Sequence, residues 1–449
     1  MRAVGNLVDR GERSLEELVH LTPIARNDPM RERLPGISSR LNLSRRAFGG
    51  GLVIATLAAP SLIRSAFAGT SEIIPFRYHA PAEALDDLKQ RLRKVRLPDG
   101  EITSDWSQGV PAHKLQALIE RWANAYEWRT IERKLNTFDQ FRTEIDGLNF
   151  HFLHVRSPHA NALPLIVTHG WPSTVLEFHH IIGPLTDPTK HGGRAEDAFH
   201  FVAPSLPGFA FSDKPAERGW NMDRTARAWG ALMRRLGYTR YVAQAGDWGA
   251  FVTTRLAQQK PPGLAAIHLT MPQVVPDQLP ASLTKEEQRA VDQLRFFKEK
   301  NYGFYVEQAN RPQTIAYSLA DSPAGQAAWL YDIYGNVTPD GKASESVPID
   351  DMLNEITLYW LTNSAGSSAR FYFEQNALGM KPNLGVVDLP VGCSIFPHDF
   401  NAPRVWAEKL FPHLFYWNEP DRGGHFAPLE EPALFVQELR NCFRSQRVS

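Results

Sequence analysis

The residue best placed to do chemistry is Asp247, in the segment Ala-Gly-Asp-Trp-Gly over residues 245–249. An apolar stretch, predicted as a strand, ends at Ala245, and a helical stretch begins at Gly249. Small residues two positions before and two positions after the aspartate permit the tight, strained turn called a nucleophile elbow, here with aspartate in the place of serine. Taken alone, the pattern also fits an aspartate that caps a helix.

Three other segments supply the partners that a nucleophile needs. Residues 169–172, His-Gly-Trp-Pro, follow a predicted strand, where a fold of this kind places a second oxyanion-hole amide. Asp399 follows the predicted strand 391–396, and His425 lies in Gly-Gly-His-Phe after the apolar stretch 414–417. The chain order of nucleophile, acid and histidine is that of the α/β-hydrolase fold.

A carboxylate nucleophile indicates a different reaction from that of serine. Serine attacks carbonyls after histidine has taken its proton, whereas an ionised carboxylate displaces a leaving group at saturated carbon. The product is an ester on the enzyme, which a water activated by His425 then hydrolyses. In that second step the tetrahedral intermediate forms on Asp247 itself, and the backbone amides of Trp171 and Trp248 are predicted to form its oxyanion hole. This chemistry suits an epoxide or an alkyl halide.

At these residues the sequence resembles the epoxide hydrolases of the microsomal type, over about residues 73–440. Those proteins are α/β-hydrolases preceded by a helical epoxide hydrolase N-terminal region. The resemblance implies an enzyme that opens an epoxide to a vicinal diol without a cofactor, a reaction used in detoxification and in the breakdown of aromatic hydrocarbons. The segments that carry the resemblance are 169–172, 204–209 (Pro-Ser-Leu-Pro-Gly-Phe), 246–249, 311–314 (Arg-Pro-Gln-Thr), 321–325 (Asp-Ser-Pro-Ala-Gly), 367–372 (Ser-Ser-Ala-Arg-Phe-Tyr) and 423–426.

The resemblance also implies a role for each residue that matches the family pattern. Asp247 matches the nucleophile, His425 the base that activates water, and Asp399 the acid that orients this histidine, although many relatives have glutamate there. Asp388 is a weaker candidate for the acid, because it precedes the strand instead of following it. Tyr372 matches a tyrosine of the cap that donates a proton to the epoxide oxygen. A phenol with a pKa near 10 stays protonated at neutral pH yet can protonate a leaving alkoxide.

The family usually has a second cap tyrosine just before the Arg-Pro motif. Here that stretch, residues 302–308, reads Tyr-Gly-Phe-Tyr-Val-Glu-Gln. Phe304 falls at the family's tyrosine position, and Tyr305 is adjacent. A shift of one residue in helical phase would present Tyr305 as the second donor.

Two other functions fit part of the pattern. A haloalkane dehalogenase shares the Asp-Trp pair of the elbow, but it would need indole or amide N–H groups for a halide in place of Tyr372, and it would lack the helical region before the sheet. A hydrolase-fold binding protein would keep the pocket and lose the complete catalytic set. The chain contains 11 Trp, 12 Tyr and 25 Phe, which fits an apolar pocket with aromatic walls and an apolar epoxide as substrate.

The elements that position these residues alternate between strand and helix, which predicts an α/β fold with a mostly parallel sheet. Residues 70–135 are predicted to be helical, and the helical, aromatic stretch 273–380 is predicted to be a cap over the sheet. The domain prediction is therefore a leader over 1–69, an N-terminal region over 70–160 and an α/β-hydrolase domain over 161–449. The predicted strands are 138–145, 148–155, 163–168, 199–203, 241–245, 265–269, 391–396 and 414–417.

Composition excludes several other partners. The 49 basic and 49 acidic residues leave no net charge, so a nucleic-acid partner is not expected. Two cysteines cannot make a disulfide framework or a cysteine-rich zinc site. No metal is predicted either: His151 and His154 would point to opposite faces of a strand, and no acidic cluster accompanies the pair at 179–180.

The first 69 residues carry a different signal. Ser-Arg-Arg-Ala-Phe at 44–48 is a twin-arginine pattern, an apolar run follows over 49–63, and Ser-Ala-Phe-Ala at 65–68 offers a cleavage point. The run is shorter than the ~20 residues needed to span a bilayer. We therefore predict a bacterial twin-arginine leader, export to the periplasm or beyond, and no stable membrane span.

Overall fold

The apolar stretches of the sequence form one nine-stranded sheet in the computed structural model, which describes residues 72–335, 345–379 and 383–447. The strands are β1 (Ile74–Phe76), β2 (Gln140–Ile145), β3 (Leu148–Val155), β4 (Leu163–Thr168), β5 (Phe199–Pro204), β6 (Tyr241–Ala245), β7 (Leu264–Leu269), β8 (Val391–Ser394) and β9 (Leu414–Asn418). Their order across the sheet is β1-β2-β3-β5-β4-β6-β7-β8-β9.

The direction of the strands confirms the predicted mostly parallel sheet. From β5 through β4 to β9 every neighbouring pair is parallel, while β1, β2, β3 and β5 pair antiparallel. The β2–β3 hairpin turns at Asp146-Gly147, and Gly147 has a φ of +79° there, as the Asp-Gly signal requires. All residues of β6 are buried, as expected for a strand covered on both faces.

Alternate residues of each central strand enter two separate apolar cores. Leu165 and Val167 lie in one core, and Ile166 between them lies in the other. The first core is covered by α4 (Ile182–Thr186) and α15 (Pro432–Phe443), and the second by α5 (Met222–Arg235), α6 (Asp247–Gln259) and α13 (Arg404–Leu410). The short α14 (Ala427–Glu430) precedes α15.

Between β7 and β8 the chain leaves the sheet and forms a series of helices, called the helical insertion below. They are α7 (Lys285–Phe296), α8 (Gly303–Asn310), α9 (Pro312–Asp321), α10 (Pro323–Gly335), α11 (Ile349–Thr362) and α12 (Ala365–Asn376). A π-helical turn, Phe297–Asn301, separates α7 from α8. These helices lie within the stretch that the sequence predicts as a cap.

The N-terminal region differs from the prediction at one place. Helices α1 (Ala82–Arg93), α2 (Ala112–Asn124) and α3 (Trp128–Leu135) are present, but the prediction of helix from residue 70 onward is wrong for β1, an edge strand that pairs with β2. Three residues with a central proline are too short to show a period, and the neighbouring strand supplies the partner that defines them.

The predicted leader lies outside the described residues. Within the ranges that the structure describes, none of the helices combines the length and the apolar character needed to cross a membrane.

Candidate active site

The turn between β6 and α6 has the geometry of a nucleophile elbow. Asp247 has a φ of +43°, a left-handed conformation that costs a non-glycine residue energy and recurs at functional sites. A Cβ at position 249 would collide with the carbonyl oxygen of Thr168, so the helix can approach β4 this closely only with glycine there. A Cβ at Gly170 would likewise collide with the Asp247 carboxylate.

The Asp247 carboxylate is held by the loop after β4. The backbone N–H of Trp171 donates a hydrogen bond to Oδ1 of Asp247 at 2.7 Å. Trp248 follows the aspartate in the first turn of α6, where backbone N–H groups have no partner within the helix. His169 fixes the loop, because its Nε2 accepts from the Leu206 N–H at 3.1 Å. The structure therefore places the Trp171 amide, which the sequence predicts as an oxyanion-hole donor, against the carboxylate of Asp247.

His425 lies between two carboxylates. Its Nδ1 is 3.0 Å from Oδ1 of Asp399, and its Nε2 is 3.6 Å from Oδ2 of Asp247. The loops that carry Asp399 and His425 are joined by a parallel bridge between His398 and Gly424. The structure thus brings the three predicted residues together, in the order carboxylate, imidazole, carboxylate.

The other candidate acid lies elsewhere. Asp388 pairs with Lys260 at 2.6 Å and with His413 at 3.1 Å, and all three side chains are about half exposed. It therefore has no contact with His425.

The charges of this group shift the pKa of the imidazole. Burial alone would lower the pKa of His425, but the carboxylates of Asp399 and Asp247 outweigh it and raise the pKa well above its ordinary value. The resting site therefore holds an imidazolium between two carboxylates. Such a histidine can act as a base only after one of these negative charges is removed.

Tyr372 reaches the site from α12. Its side chain is buried, and its ring lies edge-on to Trp171 at 5.7 Å and to Trp248 at 4.8 Å between centroids. Burial, with a smaller effect of the Asp247 charge, raises the pKa of Tyr372 well above 10. The phenol therefore keeps its proton and can donate it.

The second tyrosine is presented by α8. Tyr305 is buried, with its ring 5.4 Å from that of Tyr372, and it stacks on Tyr302 at 4.6 Å. Phe304, at the family's tyrosine position, instead stacks on Trp171 at 5.2 Å. Phe304 also lies edge-on to Tyr372 at 6.1 Å, so both rings of α8 border Tyr372, and Tyr305 is the one that carries a hydroxyl.

These side chains border a large cavity of about 560 Å³ between the sheet and the helical insertion. Its size is within the range of small-molecule sites. Asp247, His425 and Asp399 lie at one wall. The apolar and aromatic residues around it are Trp171, Trp248, Phe251, Met271, Val275, Leu279, Val291, Leu294, Phe296, Phe297, Tyr302, Phe304, Tyr305, Ile333, Tyr372 and Phe400.

A second, small cavity of about 10 Å³ also touches Asp247 and His425. This volume is close to the roughly 10–15 Å³ that one water needs. Glu177 lines it, and burial, together with the charge of Glu355, raises the pKa of Glu177 to about 8. The sequence analysis missed both glutamates; an acid inside the apolar run Val-Leu-Glu-Phe at 175–178 is the signal that could have indicated Glu177.

Two pairs of histidines, at 151 and 154 and at 179–180, differ in whether the fold brings their rings together. His151 contacts Ser205 and Gln140 within the sheet, whereas the ring of His154 is bonded to a tyrosine on the other side. The sequence shows no acidic cluster beside the pair at 179–180, but the fold brings one acid to it. Asp351 on α11, which is 171 residues away from His180 in the chain, lies 2.9 Å from the ring of His180.

Comparisons with known proteins agree with this geometry. Residues 73–178 match the family described as epoxide hydrolase N terminus, and residues 164–322 match the alpha/beta hydrolase fold. A Stigmatella aurantiaca (strain DW4/3-1) protein named "Putative epoxide hydrolase" is 56% identical over 378 residues, 84% of this chain and 86% of that protein. Epoxide hydrolase 1 of Sus scrofa is 33% identical over 407 residues, 84% of this chain and 90% of that one.

A comparison with solved structures also finds an epoxide hydrolase. The structure of Aspergillus niger epoxide hydrolase superposes with a TM-score of 0.74 at 30% identity and covers 85% of this chain and 98% of its own. Each of these matches covers most of both proteins. The chain therefore belongs to the epoxide hydrolase family, as an enzyme with the α/β-hydrolase fold.

Proposed function

We propose that this epoxide hydrolase works through a covalent ester on Asp247. A carboxylate oxygen of Asp247 attacks an epoxide carbon, the carbon–oxygen bond of the ring breaks, and the oxygen takes a proton from Tyr372 or Tyr305. The enzyme then carries a hydroxyalkyl ester. A tyrosinate remains, and it recovers its proton from the imidazolium of His425, whose pKa falls once Asp247 carries no charge.

The hydrogen bonds of Asp247 indicate which oxygen attacks. Oδ1 accepts from the Trp171 amide at 2.7 Å, and it becomes the ester carbonyl. Oδ2 faces His425 at 3.6 Å and forms the new bond to carbon. The different partners of the two oxygens are the main support for the proposal, because the amide that holds Oδ1 at rest also stabilises the same oxygen as an oxyanion in the second step. One such donor is worth about 10²–10³ in rate.

The second step needs a water beside the ester and a neutral histidine. Formation of the ester removes the charge of Asp247, and with it one of the two carboxylates that raise the pKa of His425. His425 then takes a proton from a water in the small cavity lined by Glu177. The hydroxide adds to the ester carbonyl, the intermediate collapses to the diol, and Asp247 is restored. The imidazolium formed is stabilised by Asp399.

A single-turnover experiment in ¹⁸O-water tests this order of steps. The full chain, in excess over styrene oxide, should give a diol without the label, because its new oxygen comes from Asp247. Later turnovers should then transfer the label from the carboxylate into the diol. Label in the diol of the first turnover would contradict the ester mechanism. His425→Gln should accumulate the ester, visible by mass spectrometry as an adduct on the peptide that contains Asp247.

We also propose that the substrate is a bulky apolar epoxide, on the basis of the aromatic walls of the large cavity. Transfer of apolar surface from water into such a cavity favours binding. The ratio kcat/KM should therefore rise from a small alkyl epoxide to styrene oxide and further to stilbene oxide. Equal or falling values along this series would contradict the proposal.

We also propose that an N-terminal region over 70–160 and a cap over 273–380 complete the hydrolase.

Finally, we propose that the chain is exported through the twin-arginine signal at 44–48. The support for export is the order of the arginines, the apolar run and the small residues in the sequence. In a bacterial host, Arg45→Lys combined with Arg46→Lys should leave the protein in the cytoplasmic fraction, whereas the unchanged chain should reach the periplasm with an N terminus near Gly69. Equal distribution of both forms would contradict export.

A further inference from the structure

A second group of side chains, outside the active site, has the donor atoms needed to bind a metal ion. His179 and His180 follow the 3₁₀ turn Val175–Phe178, and Asp351 lies in the first turn of α11. Nε2 of His179 is 3.2 Å from Oδ1 of Asp351, and Nε2 of His180 is 2.9 Å from Oδ2. One ligand atom from each residue can be chosen so that all three lie within 4.8 Å of one another.

The hydrogen bond on the far side of His179 fixes the role of its ring. Nδ1 of His179 is 2.7 Å from the carbonyl oxygen of Leu176. A carbonyl only accepts, so Nδ1 carries a proton. In a neutral imidazole the other nitrogen is then an acceptor, yet Nε2 faces a carboxylate oxygen of Asp351. Two acceptors at this distance need a cation to which both can bind, either a second proton on the ring or a metal ion.

We propose that His179, His180 and Asp351 form a binding site for a divalent transition metal of the zinc type, which joins the helical insertion to the segment after β4. Two imidazole nitrogens and a carboxylate oxygen are a donor set that zinc prefers. In a tetrahedral zinc site with bonds of about 2.0–2.1 Å, the ligand atoms lie about 3.3 Å apart, and each imidazole nitrogen is 3.2 or 2.9 Å from its nearer oxygen of Asp351.

The surroundings are those of a metal site. Ligating histidines generally donate their second N–H to a carbonyl or carboxylate, which fixes the ring, and His179 does so to Leu176. Asn354 donates its side-chain N–H to Oδ1 of Asp351 at 3.3 Å, and its own oxygen accepts from the hydroxyl of Tyr126 at 2.8 Å. His180 is 36% exposed at its side chain, so the ion can enter from solvent and keep a water as its fourth ligand.

This site is distinct from the reaction. His179 and Asp351 make no bond to Asp247, Asp399 or His425 among those found in the described residues. The metal would instead connect α11 to the loop that carries the oxyanion-hole amide of Trp171. We therefore expect zinc to raise the thermal stability of the protein and to leave the ester chemistry to the residues described above.

Zinc binding can be measured on the full chain. After treatment with EDTA and transfer to metal-free buffer, the protein should take one equivalent of zinc from a chromophoric chelator, and its unfolding temperature should rise. His180→Gln, the variant least at risk of misfolding because the side chain is partly exposed, should weaken zinc binding by about tenfold or more. Asp351→Asn should do the same and should also abolish the thermal shift.

Two control variants separate this site from other histidines. His413→Gln removes a histidine that also contacts an aspartate, Asp388, at 3.1 Å, and it should bind zinc as tightly as the unchanged chain. His425→Gln should also bind one equivalent of zinc, because the active-site histidine is not a zinc ligand. The proposal would be overturned by failure of the unchanged chain to bind zinc, by tight binding retained in both His180→Gln and Asp351→Asn, or by loss of binding in His425→Gln alone.

Discussion

At the level of single residues, the charge on Asp247 controls when His425 can act. Two carboxylates keep the imidazole protonated at rest, so the histidine cannot take a proton from water before the ester has formed. Alkylation neutralises one carboxylate, and the pKa of the histidine falls. The base therefore becomes available only when an ester is present for it to hydrolyse.

The pH dependence of the second step follows from this change. In the ester intermediate His425 must be neutral to act, so the hydrolysis rate should increase as pH rises through its pKa and then level off. Asp399→Asn removes the remaining charge that raises this pKa, and the midpoint should move to lower pH. Rapid-quench mass spectrometry of the ester over a pH series measures the rate. A rate independent of pH, or a midpoint that the variant leaves in place, would contradict this account.

Two aspartates test the identity of the orienting acid. Asp399 bonds to His425 at 3.0 Å, so Asp399→Asn should reduce the hydrolysis rate by about 10²–10⁴, the range of general base catalysis. Asp388→Asn changes the same group beside a different histidine, His413, and should leave turnover as it is. Comparable losses in both variants would show that the Asp399 effect comes from stability and not from the triad, and circular dichroism would show whether both remain folded.

At the level of elements, helix α8 presents two neighbouring aromatic rings to the cavity. Tyr305 lies 5.4 Å from Tyr372, while Phe304 stacks on Trp171 and lies 6.1 Å from Tyr372. Tyr302 and Tyr305 also share a side-chain hydrogen bond. Burial keeps the pKa of Tyr305 above its ordinary value, so its proton is retained for a leaving alkoxide.

The proton donors can be separated by substitution. Tyr305→Phe and Tyr372→Phe should each slow formation of the ester, and the double variant should lose about 10²–10⁴, as expected when general acid catalysis is removed. Tyr302→Phe leaves the donor proton on Tyr305 and should have a smaller effect. Adding Phe304→Tyr to Tyr305→Phe should restore only a small part of the rate, because the ring of residue 304 stacks on Trp171 and lies farther from Tyr372, at 6.1 Å, than that of Tyr305, at 5.4 Å. Recovery of the rate in that double variant would assign the donor to position 304. Single-turnover kinetics with styrene oxide give the rate of ester formation directly.

The sequence predicts some elements much better than others. Strands β3, β4 and β6 coincide with the predicted ranges, because β3 begins directly after the Asp-Gly turn and β4 and β6 are short, mostly apolar runs. The elbow is indicated by the small residues on both sides of Asp247 together with the acid and the histidine that follow in chain order. Strand β1 was missed because its identity depends on β2, and Asp351 was missed because only the folded chain brings α11 to His180. Contacts between residues far apart in sequence leave no local pattern.

At the level of the whole molecule, a buried polar contact beside the active site joins the helical insertion to the loop after β4. Glu355 of α11 is fully buried, and its Oε2 accepts a hydrogen bond from the hydroxyl of Thr174 at 2.7 Å. Burial raises the pKa of Glu355 to about 8, so the folded protein carries it as the neutral acid at neutral pH. The folded protein therefore holds a proton at Glu355 that the unfolded chain would release at neutral pH.

The consequence is a loss of stability as the pH rises. An ordinary glutamate titrates near 4.3 when the chain is unfolded, so between about pH 4.3 and about pH 8 the folded state binds more protons than the unfolded state, and the free energy of unfolding falls with increasing pH. Glu177, whose pKa is raised in the same way, adds to this slope. Glu355→Gln keeps a neutral, hydrogen-bonding side chain at every pH and should remove its share of the slope.

Thermal unfolding in EDTA-containing buffers from about pH 5 to about pH 8 tests this linkage. The difference in unfolding temperature between Glu355→Gln and the unchanged chain should shift in favour of the variant as the pH increases. Asp350→Asn removes a carboxylate from the exposed face of the same helix, where Asp350 pairs with Arg121 at 2.7 Å, and should show no such trend. A constant difference for Glu355→Gln would mean that Glu355 is ionised in the folded protein, and the contact with Thr174 would then be that of a carboxylate stabilised by its surroundings.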